Sequence, residues 1–383
     1  MPRDGTGQDD GASSLNNTRR RFLKSAGAAG AIGVSATAGC AGGIGGSSPT
    51  TINIFAWDDY KKQQELIEDK LDVNIKATVT SSSAKMFSAF KAGQSKQYDI
   101  TVPNNNYVVK FANADTVVPV NKDVVTNYKD LFGKFKEFAN RQFTVDGKLY
   151  GVPIRFGWYG YSYDSRKLPQ SHEQSYKALF SETYEGVDMK GNVVMYDNHF
   201  KAMAATALLL GYQDAFKGKR VTLSKKQIEK VKQKLLDQKP LIQGYIAPDS
   251  TYIKSFRQGN HVVGQSGRNE IMDMRRAGDN WARMAKPKEG ELAWFEGAVV
   301  SKDSDNQEMA WKVINEYISP EVGAEFAKAA STPSCNPESN KNLSSKLQKL
   351  FGFGPERLNG MIPFKAVENE DAWISAWEEV KSA

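Results

Sequence analysis

The sequence predicts an α/β fold built around a mainly parallel β-sheet. Short apolar strands alternate with helical segments of about ten residues, an alternation that is typical of βαβ units. Polar and aromatic residues follow several of these strands, and one long strand-like segment leads from one lobe to another. The 383 residues are enough for two domains or for one large domain.

The first part of the chain alternates regularly between strand and helix patterns. Its predicted elements are, in order, a strand at 52–57, a helix at 60–71, a strand at 74–79, a helix at 84–92 ended by Gly93, and a strand at 98–103. Ligands of such sheets bind beyond the carboxyl ends of the strands. We therefore expect residues 57–60 and 104–107 to lie near a binding site.

The second part of the chain continues the same pattern after a long connecting strand. Its predicted elements are a strand at 149–158, a strand at 193–196, a helix capped by 197–198 and ended by Gly211, a helix opened by a capping box at Ser224, a strand at 261–266, a strand at 292–301, a helix at 309–318 and a helix opened by Ser319 and Pro320. The long strand at 149–158 is expected to leave one lobe for the other.

The amino-terminal region predicts export and a lipid anchor. Residues 18–24, Thr-Arg-Arg-Arg-Phe-Leu-Lys, match a twin-arginine address in which Arg19 and Arg20 are read by a receptor. An uncharged run too short to span a bilayer follows, and small residues precede Cys40 as in a lipobox. We predict a signal peptide at 1–39, lipidation at Cys40, and a flexible tether at 40–50. The alternative is an ordinary cleaved signal in which Cys40 is incidental.

These features predict a protein held at the outer face of the cytoplasmic membrane, in the periplasm or outside the cell. The composition argues against a nucleic-acid partner, because the net charge of +7 is spread over helix faces and forms no basic stripe. Only two cysteines occur, so Cys335 has no partner once Cys40 carries a lipid. The sequence predicts no cofactor and no metal site.

Motifs for catalysis are scarce. The three histidines, His172, His199 and His261, are far apart in sequence and lack metal-ligand spacing. No nucleophile elbow and no phosphate loop occurs in the sequence. Carboxylates are plentiful, which leaves a glycosidase-like pair open, although no spacing supports one. We therefore expect a protein that is not an enzyme.

Aromatic residues are concentrated at the predicted strand ends. They are Trp57, Tyr60, Tyr107, Trp158, Tyr159 and Trp294. Ring faces attract cations, and nearby carboxylates neutralise them, so this composition suits a flat or cationic ligand. The alternative for each ring is ordinary core packing. Trp57 and Tyr60 favour the binding role most, because Asp58 and Asp59 lie beside them.

Five segments in a fixed order carry a family resemblance. They are IFAWDDY at 54–60, YDITVP at 98–103 followed by Tyr107, QGNHVVG at 258–264, PKEG at 287–290 with WFE at 294–296, and WKVINEYI at 311–318. Together they resemble the spermidine/putrescine class of periplasmic solute-binding proteins, the extracellular receptors of ABC importers. The resemblance covers nearly the whole chain after the predicted signal.

The resemblance implies a two-lobe periplasmic-binding-protein fold of the type II-like kind, whose lobes are joined by crossing strands and close on a ligand. It places one lobe at 51–155 plus 297–332 and the other at 156–296 plus 333–383. It also implies a monomer that works with the permease subunits of an ABC transporter. Trp57, Tyr60 and Trp294 would contact a polyamine, and Glu296 would pair with an ammonium. Asn104 and Asn106 fall on further ligand-contacting positions.

The sequence departs from the family pattern in the second lobe. The two carboxylate positions of the family hold Asn198 and Lys201, with Asp197 beside them, the family's tryptophan falls at Gly267 followed by Arg268, and its late tyrosine falls at Thr332. A buried polyamine needs a carboxylate at each end, since an unpaired buried ammonium is costly. A zwitterionic, singly cationic or anionic solute is the alternative, with Lys201 and Arg268 at its negative end and Asp58 and Glu296 at its positive end.

Three functional classes follow from these observations: a solute receptor, a cell-surface enzyme and an adhesive lipoprotein. The receptor predicts saturable binding without turnover, and its small polar solute is a polyamine or a zwitterion. The ligand-binding residues predicted for it are Trp57, Asp58, Tyr60, Asn104, Asn106, Tyr107, Trp158, Asp197, Asn198, Lys201, Arg268, Trp294 and Glu296.

Overall fold

A mixed β-sheet runs through the computed structural model of the chain, which describes residues 49–80, 82–247, 249–351 and 355–383. Eight strands follow one another across it in the order β10-β9-β11-β6-β13-β3-β1-β2, with β12 added beside β6 and β14 beside β13. The strands are β1 Thr50–Ala56, β2 Val73–Val79, β3 Ile100–Thr101, β4 Thr144–Val145, β5 Lys148–Leu149, β6 Val152–Asp164, β7 Thr183–Tyr184, β8 Val187–Asp188, β9 Val193–Tyr196, β10 Ile242–Ile246, β11 Val263–Gly267, β12 Ala282–Met284, β13 Glu291–Val300 and β14 Met361–Pro363.

Helices cover this sheet, and none of those in the described ranges is long and apolar enough to cross a bilayer. They are α1 Gln64–Leu71, α2 Ser83–Lys91, α3 Asn105–Asn113, α4 Gly133–Gln142, α5 His199–Leu209, α6 Lys225–Asp237, α7 Asp249–Arg257, α8 Arg268–Arg276, α9 Gln307–Tyr317, α10 Pro320–Ala330, α11 Ser345–Phe351, α12 Pro355–Asn359 and α13 Glu370–Ser382. A 3₁₀ turn at Asp58–Gln63 connects β1 to α1.

Two long antiparallel strands, β6 and β13, join the halves of the sheet. Their register places Gly157 opposite Trp294 and Trp158 opposite Ala293, near the middle of each strand. A third extended segment follows α10 and pairs with β6, where the amide of Cys335 donates to the carbonyl oxygen of Ile154 over 2.8 Å. The crossing strands of the two-lobe α/β fold are therefore present, as the sequence predicts.

Two hydrophobic clusters meet along these crossing strands. Trp158 packs with the first cluster, and the next residue of β6, Tyr159, packs with the second. The first cluster includes Ile54, Phe111, Phe135, Phe156, Phe295 and Ile314. The second includes Tyr161, Met195, Phe200, Val263, Trp373 and Trp377. Each lobe thus has its own core, and the strands that pass between them carry residues of both.

Strand direction determines where the binding edge lies. β3 is antiparallel to β13 and parallel to β1, whereas β11 is antiparallel to β6 and parallel to β9. Since β6 and β13 run in opposite directions, the parallel strands of the two lobes point their carboxyl ends at each other. The loops that follow β1, β3, β9 and β11 therefore face one another across the crossing point. This is the edge at which open α/β sheets bind ligands.

Most predicted elements are confirmed, with ends that shift by up to four residues. The long connecting strand is the exception, since β6 runs to Asp164, six residues beyond its predicted end at 158. The predicted caps are also confirmed: Asn198 caps α5, Ser224 and Gln227 form a capping box at α6, and Ser319 caps α10. The third strand is shorter than predicted, because only Ile100–Thr101 pair as a strand. The predicted signal at 1–39, with Arg19 and Arg20, and the predicted lipidation at Cys40 lie outside the described residues.

Candidate functional site

The end of β1 supplies two aromatic residues and two carboxylates. The indole N–H of Trp57 donates to the carbonyl oxygen of Val102 over 2.8 Å, which fixes the ring beside the end of β3. The side chain of Asp58 is 71% exposed and lies 3.7 Å from the ammonium of Lys61. Asp58 therefore faces solvent, while Trp57 is half-buried between two strand ends.

Tyr60 lies deeper than the sequence predicts for a residue that contacts ligand. It is fully buried and packs edge-on against Tyr317 and Phe326. Its hydroxyl donates to Oε2 of Glu296 over 2.6 Å. Burial, reinforced by the negative charge of Glu296, raises the pKa of Tyr60 well above its ordinary value. The hydroxyl is therefore a fixed donor to the carboxylate and stays protonated.

The end of β3 leads directly into α3. The amide N–H of Asn104 donates to the hydroxyl of Ser83 over 3.0 Å, and Asn104 also bridges to Glu296 across the sheet. Oδ1 of Asn106 is buried and has no hydrogen-bond partner within the part of the chain that the structure describes. The ammonium of Lys110 lies 4.2 Å from the centre of the Tyr107 ring. Oδ1 of Asn106 is therefore an unpaired acceptor at this strand end.

Arg155 occupies the centre of the crossing strands and binds Glu296 with two hydrogen bonds. Its Nε donates to Oε2 over 2.7 Å, and its Nη2 donates to Oε1 over 2.9 Å. Its Nη1 donates to Oδ2 of Asp59 over 2.9 Å. Arg155 is 3% exposed and Glu296 is 2% exposed. We call Asp59, Tyr60, Arg155 and Glu296 the arginine cluster.

The charges of the arginine cluster support one another. Burial opposes the charge of Arg155, but attraction by Glu296 outweighs it and holds the pKa of the guanidinium above its ordinary value. The two-pronged geometry is that of a guanidinium and an ionised carboxylate. The expectation that Glu296 pairs with a ligand ammonium is corrected by the structure, because Arg155 already binds both of its oxygens. The sequence does carry a signal for this pair, because Arg155 is the one charged residue in the predicted strand at 149–158.

Two tryptophans flank the crossing point on opposite faces of the sheet. Trp294 shares a face with Glu296, and its ring covers Gly157, where a Cβ atom would lie only 2.6 Å from Cζ2. Trp158 points to the other face, because successive residues of a strand alternate. Both rings are nearly fully buried. The sequence predicts both aromatic residues at strand ends, and this prediction is wrong, because they lie near the middle of β6 and β13. The sequence also does not reveal that the two rings face apart.

The end of β9 presents Asp197 and Asn198. Oδ1 of Asp197 accepts from the indole N–H of Trp377 and lies 3.2 Å from the ammonium of Lys381. Oδ1 of Asn198 accepts from the amide N–H of Lys201 and caps α5. Both side chains therefore have structural partners within the second lobe, and Asn198 has a clear role in starting the helix.

Lys201 lies in a small box of aromatic and acidic groups. Its ammonium is 3.8 Å from the ring centre of Tyr159 and 3.4 Å from that of Tyr196. The hydroxyl of Tyr196 donates to Asp249 over 2.8 Å, and Glu270 accepts from the amide of Gly267, at the start of α8. We call Tyr159, Tyr196, Lys201, Asp249 and Glu270 the lysine box.

Burial controls the charges in the lysine box. It lowers the pKa of Lys201 to about 8, although Asp249 and Glu270 partly offset this effect. Burial also raises the pKa of Glu270 to about 8, with a further contribution from the charge of Asp249. Two interacting groups of this kind titrate as a pair near neutral pH. The sequence points to Lys201 but not to its four partners, which come from four separate elements.

Arg268 lies apart from Lys201, which corrects the expectation that the two form one positive end. The guanidinium of Arg268 donates to the carbonyl oxygens of Ser331 and Phe351 and lies 4.9 Å from the ring centre of Trp158. Lys201 lies over Tyr159 instead, and Trp158 and Tyr159 point to opposite faces of β6. Burial, followed by repulsion from Arg357, lowers the pKa of Arg268 to about 9.

The predicted residues thus form two groups around one crossing point. The arginine cluster and Trp294 share the face of β6 and β13 that also carries Tyr159 of the lysine box. A separate surface depression of about 640 Å³ is lined by Lys70, Ser319, Pro320, Glu321, Glu325, Lys328 and Asn342. It contains none of the predicted ligand residues and lies on α1 and α10, away from the facing strand ends.

Comparisons with known proteins agree with this architecture. Residues 57–351 match the family described as bacterial extracellular solute-binding protein. The spermidine/putrescine-binding periplasmic protein of Salmonella typhimurium is 23% identical over 329 residues, which is 85% of this chain and 87% of that protein. The putrescine-binding periplasmic protein SpuD of Pseudomonas aeruginosa is 22% identical over 349 residues, covering 86% of this chain and 92% of that protein.

A solved structure shows the same fold. The spermidine/putrescine ABC transporter substrate-binding protein PotD of Streptococcus pneumoniae superposes with a TM-score of 0.72 at 19% identity, covering 87% of this chain and 99% of that chain. Identity this low establishes the shared architecture. The two lobes and the crossing strands are therefore shared with that structure.

Proposed function

This chain belongs to the bacterial extracellular solute-binding proteins, and we propose that it captures a small polar solute between its two lobes for delivery to an ABC importer. The observation that carries the proposal is the convergence of strand ends. The loops after β1 and β3 in one lobe face those after β9 and β11 in the other. Charged and aromatic side chains occupy the crossing strands between them, and hinge closure would bring both lobes onto the solute.

The solute that the geometry supports best carries a negative group as well as a positive one. Lys201 stands where the related receptors are expected to hold a carboxylate, and its ammonium has ring faces around it. A carboxylate of the solute would be attracted to this ammonium. The exposed Asp58 and the half-buried Trp57 would receive the positive group at the opposite lobe. An amino-acid-like or guanidino-acid solute has this charge arrangement.

A polyamine is the second candidate. The names of the relatives favour it, because the S. typhimurium protein is called spermidine/putrescine-binding and the P. aeruginosa protein putrescine-binding. Trp57 and Trp294 are also suited to packing on a methylene chain. The arginine cluster argues against it, because Arg155 already neutralises the carboxylate expected to hold one ammonium.

A thermal-shift screen tests the receptor role and separates the two candidates. The purified protein would be heated with polyamines, amino acids, guanidino acids, sugars and oxyanions in turn. A solute that binds only the folded state raises the melting temperature. We expect the largest shift with a zwitterion. A shift with putrescine or spermidine alone would favour the second candidate, and product formation from any solute would contradict the receptor role.

We also propose that Arg19 and Arg20 direct twin-arginine export and that Cys40 carries the lipid that holds the receptor at the membrane. The lobes are proposed as residues 51–155 with 297–332 and residues 156–296 with 333–383, and the protein is proposed to act as a monomer. Replacing Cys40 with alanine should release the exported protein from the membrane fraction. Membrane retention of that variant would contradict the anchor.

A further inference from the structure

The arginine cluster has all the parts of a site for an organic cation. Glu296 presents both carboxylate oxygens, and Asp59 presents a third oxygen, all within 2.9 Å of a nitrogen. Two ring faces complete it, since Cζ of Arg155 lies 5.1 Å from the centre of Tyr60 and 5.3 Å from that of Phe326. Carboxylates and ring faces together recognise ammonium and guanidinium groups.

The occupant of this site is part of the chain. Arg155 lies within β6, and the strand is held on both sides there, by β13 and by the segment at Ser334. A tethered group has an effective concentration in the millimolar range or above, so a free cation competes poorly with it. We propose that Arg155 is a built-in occupant of the cation site formed by Asp59, Tyr60 and Glu296 and that it determines selectivity against diamines and polyamines.

The charge balance around the cluster explains this selectivity. Asp59 and Glu296 bring the negative charges, and the guanidinium of Arg155 already binds the oxygens through which they would hold an ammonium. A diamine lying across the crossing point would place one ammonium against the guanidinium of Arg155 and the other against Lys201 of the facing lobe. The inference deepens the proposed function, on which it rests: the solute has at most one positive group, and that group binds outside the arginine cluster.

A purely structural ion pair would have a different consequence. Removing Arg155 would then destabilise the fold and leave the protein indifferent to added amines. A true cation site would instead accept an external cation of similar size in the space that the guanidinium leaves. The two interpretations are separated by the response of an Arg155 variant to free amines.

The experiment measures melting temperature against the concentration of putrescine, agmatine and methylguanidine. Three proteins are compared: the wild type, Arg155→Ala, and a double variant with Arg155→Met and Glu296→Gln. The double variant removes both charges and keeps side chains of similar size, so it serves as the matched control. Sodium chloride at equal ionic strength corrects for general salt effects.

We expect Arg155→Ala to reach half of its maximal shift at an amine concentration about tenfold or more below that of the wild type. The double variant should show no such gain. If Arg155→Ala folds only when methylguanidine is present and not in matched salt, that rescue also supports the inference. A folded Arg155→Ala with no greater amine response than the wild type overturns it, as does a variant that amines do not rescue.

The outcomes for the inference and for the proposed function are distinct. A wild type that responds to no solute in the full screen would contradict the receptor role and leave the amine response of Arg155→Ala unchanged. A wild type that binds putrescine as tightly as Arg155→Ala does would contradict the inference and support a polyamine receptor.

Discussion

The arginine cluster and the lysine box bury a positive side chain beside the same crossing strands in different ways. Arg155 donates three hydrogen bonds to two carboxylates. Lys201 lies instead on the rings of Tyr159 and Tyr196, and Asp249 and Glu270 attract it from beyond ion-pair distance. The pKa of the guanidinium is raised, whereas that of the ammonium falls to about 8.

This difference indicates which of the two positive side chains can bind a solute. A guanidinium held by a carboxylate fork is fixed in charge and position, because its planar donors match both oxygens. An ammonium on ring faces has no such fork and keeps its donors open to an incoming acceptor. We therefore assign the arginine cluster to exclusion of a second cation and the lysine box to contact with the solute.

The largest expected effect comes from breaking the arginine cluster. Glu296→Gln leaves the buried guanidinium of Arg155 with only Asp59 as a charged partner. Loss of one member of a buried ion pair typically costs about 3–5 kcal/mol of the free energy of unfolding. Urea denaturation measures this loss. Asp58→Asn, at an exposed carboxylate of the same turn, should change stability by about 0.5 kcal/mol or less and serves as the control. Equal effects in both variants would contradict the cluster's central role.

The second prediction concerns the pH dependence of the lysine box. The pKa of Glu270 is raised from 4.5 to about 8, so the folded state binds more protons between these values and stability falls as pH rises through this window. The pKa of Lys201 is lowered from 10.5 to about 8, so the unfolded state binds more protons above pH 8 and stability rises there. These two groups therefore predict lowest stability near pH 8.

Glu270→Gln keeps a capping side chain at α8 and removes the charge. We expect it to flatten the fall between pH 5 and pH 8 and to stabilise the protein at pH 8 by roughly 1–3 kcal/mol. Urea denaturation at both pH values measures the difference. An unchanged pH profile would show that Glu270 does not titrate in this range. The guanidinium of Arg155 should contribute no slope of its own in this range, because it stays charged.

The third prediction concerns solute contact. Lys201→Met keeps the apolar stem and removes the ammonium, so binding of the zwitterion found in the screen should weaken about tenfold, or about 1.4 kcal/mol. Calorimetric titration measures this change. Lys226→Met, on the exposed surface of α6, is the matched control and should bind as the wild type does. Unchanged binding in Lys201→Met would remove the lysine box from the solute site.

The smallest expected effect lies where the two lobes touch at the helix ends. The ammonium of Lys110 on α3 lies 2.7 Å from Glu370 on α13, and His199 also contacts this carboxylate. The contact with His199, together with the hydrogen bond from Lys110, lowers the pKa of Glu370 to about 2. Its stabilising contribution is therefore present above pH 4.5 and is lost as pH falls through about 2.

Lys110→Met should weaken this contact between the lobes by about 0.5–1 kcal/mol. The solute-free protein should then open more often, which small-angle scattering would detect as a larger radius of gyration. Lys134→Met, which removes a pair within α4 alone, is the control and should leave the radius unchanged. Equal radii in all three proteins would contradict a latch at Lys110.

The sequence predicts local structure well where local chemistry determines it. Ser224 and Gln227 form a capping box as their spacing indicates, and Gly93 and Gly211 end helices with positive φ angles of 85° and 83°. The third strand was predicted too long, because residues 98–103 include only two that pair. Strand pairing depends on partners far away in sequence, so its extent is not encoded in the segment itself.

The candidate site is harder to predict from the sequence, because its contacts join residues that are far apart in the chain. Trp57 is predicted at a strand end and lies there, whereas Trp294, also predicted at a strand end, lies near the middle of β13 beside Glu296. The pairing of Arg155 with Glu296 joins residues 141 positions apart, and no local sequence pattern predicts it. Lys201 and Arg268 are separated because they contact Tyr159 and Trp158, successive residues of β6 whose side chains point to opposite faces. This separation can be predicted only when the pairing of the strands is known.

The most direct test of the account is a calorimetric titration of the wild-type protein with putrescine. We predict no saturable heat up to millimolar concentrations, because Arg155 fills the cation site and Lys201 faces it. A zwitterion from the screen should give a saturable one-to-one curve in the same buffer. A saturable putrescine curve with a micromolar or lower Kd would contradict the account, since the arginine cluster would then have failed to exclude a diamine.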